Sequence, residues 1–246
     1  MEIFKTKSFE LAVYAKGDPN SPKIAIVVPG RLDTKDYIHN TSLVDYLAER
    51  GYYALSFDPP GTWESPGGMD LYTTTNCIKA VNELVEHLGN KPIVLAGHSR
   101  GGTVAMLAGP DNPHVTHIIP IFSYYGAPSD PEPDRIVDGA LVSYRDLPPG
   151  TERTKEQKRF DLPLNYFKDG AQYDALLGLK TCTKPKLFFY GTKDVMNDPE
   201  DVKKAFEESA EPKMIHGVDS EHDYRLLPNV VEEVNHKIGT FLGLES

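Results

Sequence analysis

The sequence predicts an α/β fold, a mostly parallel sheet with helices on both faces and an inserted lid, and three observations carry the prediction. Short apolar, β-branched runs alternate along the chain with helix-like segments. One such run, Pro92-Ile93-Val94-Leu95-Ala96, enters a tight turn, Gly97-His98-Ser99-Arg100-Gly101. It leaves through the small-residue segment Gly102-Thr103-Val104-Ala105-Met106-Leu107-Ala108, which reads as a buried helix. The chain closes on Val230, Val234, Ile238 and Phe241 at helical spacing, an apolar stripe expected to pack on the sheet.

The elements follow in order. The N-terminal stretch to Ala15 reads as an antiparallel edge pair, and Lys23-Ile24-Ala25-Ile26-Val27-Val28 as a strand leading into Pro29-Gly30-Arg31-Leu32. Ile38, Leu43 and Leu47 then lie on a polar helix that ends at Gly51. Tyr52-Tyr53-Ala54-Leu55-Ser56-Phe57 is the next strand, opening into Asp58-Pro59-Pro60-Gly61-Thr62-Trp63-Glu64-Ser65. A helix over 71–88 precedes the strand of the serine turn. His117-Ile118-Ile119-Pro120-Ile121-Phe122 is a further strand, ending at Ser123-Tyr124-Tyr125-Gly126.

From Ala127 to Leu179 the rhythm breaks. This stretch holds Pro128, Pro131, Pro133, Pro148, Pro149 and Pro163, a dense charge run over 151–156, and then Leu162, Leu164, Tyr166, Phe167, Tyr173, Leu176 and Leu177. It is too long for a plain loop. The chain therefore reads as one core domain, 1–126 and 180–246, carrying an insertion at 127–179. The alternation resumes with strands at Lys186-Leu187-Phe188-Phe189-Tyr190 and Lys213-Met214-Ile215-His216-Gly217-Val218.

At 246 residues the chain is long enough to bury a sizeable core. A net charge of -10 argues against a nucleic-acid partner, because phosphate binding needs a basic surface. Cys77 and Cys182 are far apart and near no histidine cluster, so neither a disulfide framework nor a zinc site is indicated. No signal peptide or membrane span is read in the first residues, so the expectation is a cytoplasmic protein without a membrane partner. Asn40-Thr41-Ser42 matches a glycosylation sequon, read as accidental without an export signal. Phosphate-binding glycine loops, helical metal-ligand pairs and nicotinamide fingerprints are absent from the sequence, which favours chemistry without a cofactor or metal. The oligomeric state is not legible.

The serine turn is where chemistry is expected. Glycine two residues before and after Ser99 lets strand and helix pass closely while the turn holds the hydroxyl out above the sheet. A serine hydroxyl is a poor nucleophile at neutral pH and needs a base, which in turn needs an acid to fix its tautomer. For the acid, Asp194 follows the 186–190 strand directly and leads. Asp198, in Asn197-Asp198-Pro199-Glu200, is the alternative and has the form of a helix cap. For the base, His222 lies in the loop after the 213–218 strand and leads among the eight histidines. His216 falls inside that strand, His236 on the solvated side of the closing helix, and His98 in the variable slot of the serine turn. His39, His87, His114 and His117 read as surface or strand positions.

The order Ser99, Asp194, His222, each after a strand, resembles the α/β-hydrolase superfamily over nearly the whole chain. The resemblance implies an oxyanion hole from the backbone N–H of Arg100 and from a second N–H in the loop after the 23–28 strand, Arg31 first and Leu32 second. That loop commonly reads His-Gly in the family and Pro29-Gly30 here. The Asp58–Ser65 loop resembles the family's aspartate-glycine loop, and the 127–179 insertion stands where the family often carries a lid. Leu32, His98, Tyr124, Tyr166 and Phe167 are the candidate substrate contacts, with Trp63 and Tyr125 as further possible lining.

The expected activity is that of a serine esterase acting on a small-molecule acyl ester through an acyl-enzyme. Thioester, lactone or amide cleavage, carbon–carbon bond hydrolysis and acyl transfer use the same groups. A ligand-binding protein on the same fold with little turnover is the alternative from another class.

Overall fold

In the computed structural model, which describes residues 2–244, the chain runs β1 (Glu2–Lys5), β2 (Glu10–Lys16), β3 (Ile24–Val28), α1 (Ile38–Ala48), β4 (Tyr53–Phe57), α2 (Thr74–His87), β5 (Ile93–His98), α3 (Arg100–Ala108) and β6 (Val115–Ile121). The stretch between β6 and the next sheet strand holds β7 (Ile136–Val137), β8 (Ala140–Asp146), β9 (Gln157–Pro163), α4 (Asn165–Gly170) and α5 (Ala175–Leu179). β10 (Lys186–Gly191), α6 (Pro199–Glu208), β11 (Lys213–Val218) and α7 (Pro228–Phe241) complete the chain.

Eight strands form one sheet in the order β1-β2-β4-β3-β5-β6-β10-β11. From β4 to β11 all neighbours are parallel, while β1 and β2 are the antiparallel edge. Strand alternation sends successive side chains to opposite faces. Ile24, Ile26 and Val28 of β3 join one core with α2 and α3, and Ala25 and Val27 join the other with α1 and α7. Both faces are thus covered, as a buried parallel sheet requires. No helix among the described residues is long and apolar enough to cross a membrane.

β3 lies between β4 and β5, so the chain leaves β3 in one direction and returns past it in the other. The loops after β3 and β5 consequently diverge, opening a crevice at the carboxyl ends of these two strands. Ser99 and Arg31 stand on those two loops.

The 127–179 stretch contains a three-stranded antiparallel sheet, β7-β8-β9, that the sequence reading did not resolve. Its residues carry no strict alternation long enough to mark strands among the prolines and charges. Much of the stretch packs as core rather than as an excursion: Leu141, Phe160, Leu162, Tyr166, Phe167, Leu176 and Leu179 are buried, whereas Leu177 is exposed. Tyr166 stacks on Tyr72 with ring centroids 5.2 Å apart.

A buried ionic knot ties this stretch to the segment before the closing helix. Asp146, at the end of β8, accepts from Arg225 Nη2 at 2.5 Å, from the Thr154 N–H at 3.0 Å and from Gln157 Nε2 at 2.9 Å. Arg225 also donates to the Gly150 carbonyl, and the Tyr37 hydroxyl donates to the Asp146 carbonyl at 2.7 Å. Burial alone raises the pKa of the Asp146 carboxyl, but the bonds from Gln157, Thr154 and Arg225 outweigh it and hold the group well below the ordinary carboxylate range. Asp146→Asn leaves Arg225 buried without its counter-charge, and removing one partner of such a pair costs about 3–5 kcal/mol. The folded-state pKa lies below the unfolded value near 3.9. The carboxylate's contribution is therefore fully present above about pH 4 and lost as pH falls through the folded pKa. Denaturant unfolding should show lower stability for Asp146→Asn at neutral pH and a difference from the parent that shrinks on acidification. Equal stability at neutral pH would show that the knot does not hold the 127–179 stretch in place.

Candidate active site

Ser99 sits between β5 and α3 with φ 52° and ψ -123°, a conformation that L-residues adopt only when the surroundings enforce it. The two flanking glycines make it possible. A Cβ at Gly97 would overlap the Gly101 carbonyl group, and one at Gly101 would overlap the Val28 carbonyl oxygen of β3. The Ser99 N–H donates to the Ile121 carbonyl at 2.8 Å, anchoring the turn to β6.

His222, in the loop after β11, places Nε2 2.8 Å from Ser99 Oγ and Nδ1 2.8 Å from Asp194 Oδ2. A carboxylate only accepts, so Nδ1 carries the proton and Nε2 is left to accept from the serine hydroxyl. The other Asp194 oxygen accepts the N–H groups of Met196 at 2.8 Å and Asn197 at 2.9 Å. Burial pushes the pKa of this carboxyl up, but the His222 ring and those two N–H groups more than offset it, and the group is held below its ordinary value. Asp198 instead caps α6, accepting the Glu200 N–H at 2.9 Å. His216 pairs with Glu233 at 2.8 Å and His236 is exposed, so neither approaches Ser99.

The N–H groups of Arg100 and Arg31 have no acceptor among the described residues. The Leu32 N–H donates to the Tyr72 hydroxyl at 3.1 Å, and the Leu32 side chain is wholly buried outside the cavity. This removes Leu32 both as the second-choice donor and as a substrate contact. The loop is held from below by Asp58, whose carboxylate accepts from Thr34 Oγ1 at 2.8 Å, the Lys35 N–H at 2.9 Å and the Glu64 N–H at 3.1 Å.

A cavity of about 300 Å³ opens onto Ser99 and His222, and His98, Tyr124, Tyr166 and Phe167, the candidate substrate contacts, line it. Trp63 lies outside, donating Nε1–H to the Leu32 carbonyl at 2.9 Å, and Tyr125 packs behind Tyr124.

Behind His222 lies a group the sequence did not disclose. His98 donates Nε2–H to the His222 carbonyl at 3.0 Å, and its Nδ1 lies 3.5 Å from Asp33 Oδ2. His39, expected at a surface or strand position, lies on α1, is 1% exposed and stands edge-on to His98 with both ring nitrogens unpartnered. Burial pushes its pKa down to about 3, keeping the ring neutral. Asp33 would be raised by burial, but the His98 ring and the Arg145 charge bring it well below the ordinary range. Asp33, His39 and His98 present ligand atoms within 4.8 Å of one another, the grouping among the described residues that could hold an ion. No sequence spacing signals it, because the loop after β3, α1 and the serine turn meet only in the fold. Tyr72, Arg145 and Asn197, which support or line the site, were missed for the same reason.

A family model described as alpha/beta hydrolase fold matches residues 25–121. The chain is 25% identical over 146 residues to palmitoyl-protein thioesterase ABHD10, mitochondrial, of Mus musculus, a match covering 59% of this chain and 46% of that protein. Among solved structures it is similar to Est1E from Butyrivibrio proteoclasticus with ferulic acid bound, at 18% identity and TM-score 0.77, covering 98% of each chain. It is also similar to a Paleococcus ferrophilus monoacylglycerol lipase, at 20% identity and TM-score 0.75, covering 96% of this chain and 100% of that one.

Proposed function

We propose that this chain, which has the alpha/beta hydrolase fold, is a serine hydrolase that cleaves carboxylic esters through an acyl-enzyme. The observation that carries the reading is the continuous hydrogen-bonded line from Asp194 through His222 to Ser99, 2.8 Å at each contact. Ser99 Oγ attacks the acyl carbonyl while His222 Nε2 takes its proton. Asp194 holds the ring in the tautomer that makes this possible and stabilises the imidazolium that results. The carbonyl oxygen, now an oxyanion, receives the N–H groups of Arg100 and Arg31, each worth about 3 kcal/mol of barrier when aimed at that charge. His222 returns the proton to the leaving alcohol, and a water activated by the same ring releases the acid.

Thioesters are the second reading, favoured by the thioesterase named among the relatives; the same atoms perform the same steps with a thiol as leaving group. A fluorophosphonate probe tests the reading directly, since it should label Ser99 and no other serine. Absence of labelling in folded protein would refute a serine nucleophile and favour a binding protein without turnover.

Residues 127–179 supply one wall of the cavity and, in this reading, set which acyl groups enter. Phe167, 6% exposed on α4, lines that wall. Phe167→Ala should lengthen the preferred acyl chain, at a stability cost of about 3–5 kcal/mol for a buried aromatic truncation. The check is kcat/KM across p-nitrophenyl esters of graded length, and an unchanged optimum in folded variant would make this wall structural only.

A further inference from the structure

Three arginines line the cavity around Ser99 without a close ion pair among the described residues. Arg31, on the loop after β3, has no hydrogen-bond or ion-pair partner for its guanidinium among the described residues. Arg145, from β8, donates Nη2–H to the Arg31 carbonyl, while its Nε is buried and unpartnered. Arg100 is 9% exposed and gives its Nη groups only to neutral acceptors, Gly126 O at 3.0 Å and Thr74 Oγ1 at 2.6 Å, its Nε again buried and unpartnered. Among the described residues none of the three has a carboxylate within 4.0 Å, although the Arg145 charge acts on Asp33 from farther off.

The acids of the same cavity are mostly engaged elsewhere. Asp33 faces His98 and is also acted on by the Arg145 charge, Asp223 is paired with Arg153, and Glu132 lies 3.9 Å from Arg135. Asp130 stands exposed at the rim. Arg100 is buried, and Arg31 and Arg145 are half-buried; a cation partly removed from water without a close counter-charge loses solvation that a bound anion would replace. Here the natural compensator is whatever occupies the cavity.

We propose that the substrate of this site carries an anionic group, a carboxylate or phosphate, within a few bonds of the scissile carbonyl, bound by Arg31 and Arg145 beside the Ser99 hydroxyl. This rests on the serine-hydrolase reading above and narrows it to acidic esters or thioesters. The small cavity keeps the anion close to the reacting carbon, and the two arginines, one on the β3 loop and one on β8, stand side by side, the Arg145 guanidinium bonded to the Arg31 carbonyl. That bond ties the pair to the loop whose N–H faces the oxyanion.

Two measurements test it. In the first, monomethyl glutarate is compared with methyl pentanoate, placing the anion on the acyl side, and O-acetylglycolate with ethyl acetate, placing it on the alcohol side. The ratio of kcat/KM for acid over neutral ester should be about tenfold or more in at least one pair, a typical return for hydrogen bonds to a charged group. Arg31→Met and Arg145→Met should each collapse that ratio, and Arg31→Lys should restore part of it, since the charge is kept and the fork is lost. The ratio is read within each variant, so a general loss of activity does not affect it. A ratio of one or below in both pairs, or a ratio unmoved by both methionine variants, overturns the proposal.

The second measurement does not need turnover. Calorimetry of Ser99→Ala with glutarate and with inorganic phosphate should show binding of at least one, weakened tenfold or more by adding Arg31→Met; the stronger binder identifies the preferred anion. Binding of neither anion overturns the proposal. Anion binding in a protein that fluorophosphonate never labels would retain the subsite and reject the hydrolase reading, so the two failures are distinguishable.

Discussion

Ser99→Ala should lower ester turnover by about six orders of magnitude, the scale on which a nucleophile acting as part of a serine-histidine-acid unit fails when removed. The expectation follows from the geometry. His222 Nε2 has the Ser99 hydroxyl at 2.8 Å, and without that hydroxyl no acyl-enzyme forms and the ring has no proton to take. Folding should change little, because the turn is held by backbone bonds, Ser99 N–H to Ile121 O and Gly102 N–H to Ser99 O, that alanine preserves. The check is purified variant with a fold verified by circular dichroism and assayed with a p-nitrophenyl ester. More than a few percent of parental activity would exclude the serine mechanism.

Asp194→Asn should cost about four orders of magnitude in turnover, the effect of converting the acid of a comparable triad to its amide. An amide presents an N–H where Nδ1–H needs an acceptor, which favours the tautomer with the proton on Nε2 and blocks that nitrogen from accepting the serine proton. Asp198→Asn should leave turnover nearly intact, since Asp198 serves the N-terminus of α6 and asparagine caps a helix about as well as aspartate. The two variants, measured side by side on one ester, separate the acids that sequence order alone left as alternatives. The reverse ranking would assign the role to Asp198.

What the sequence could determine was local. The serine turn announces itself because glycines, strand and helix are contiguous, and steric exclusion at Gly97 and Gly101 acts between atoms the chain brings together within a few residues. The alternation of runs determined the parallel sheet and the edge pair, since a side-chain period is written along a single strand. Asp194 and His222 were legible as candidates from their places after strands, and Asp198 as a possible cap from Asp-Pro-Glu.

Only the tertiary structure decided what depends on meetings between distant segments. It took the Leu32 N–H out of contention by giving it to Tyr72, forty residues along the chain. It buried His39 against His98 and Asp33, and set Asp146 on Arg225 across 79 residues. It also brought Arg31, Arg100 and Arg145 around one small cavity from three separate elements. Hydrogen bonds and charge compensation are fixed by which groups share a desolvated space. That sharing is set by how helices and sheet close on one another, which no periodicity along the chain records.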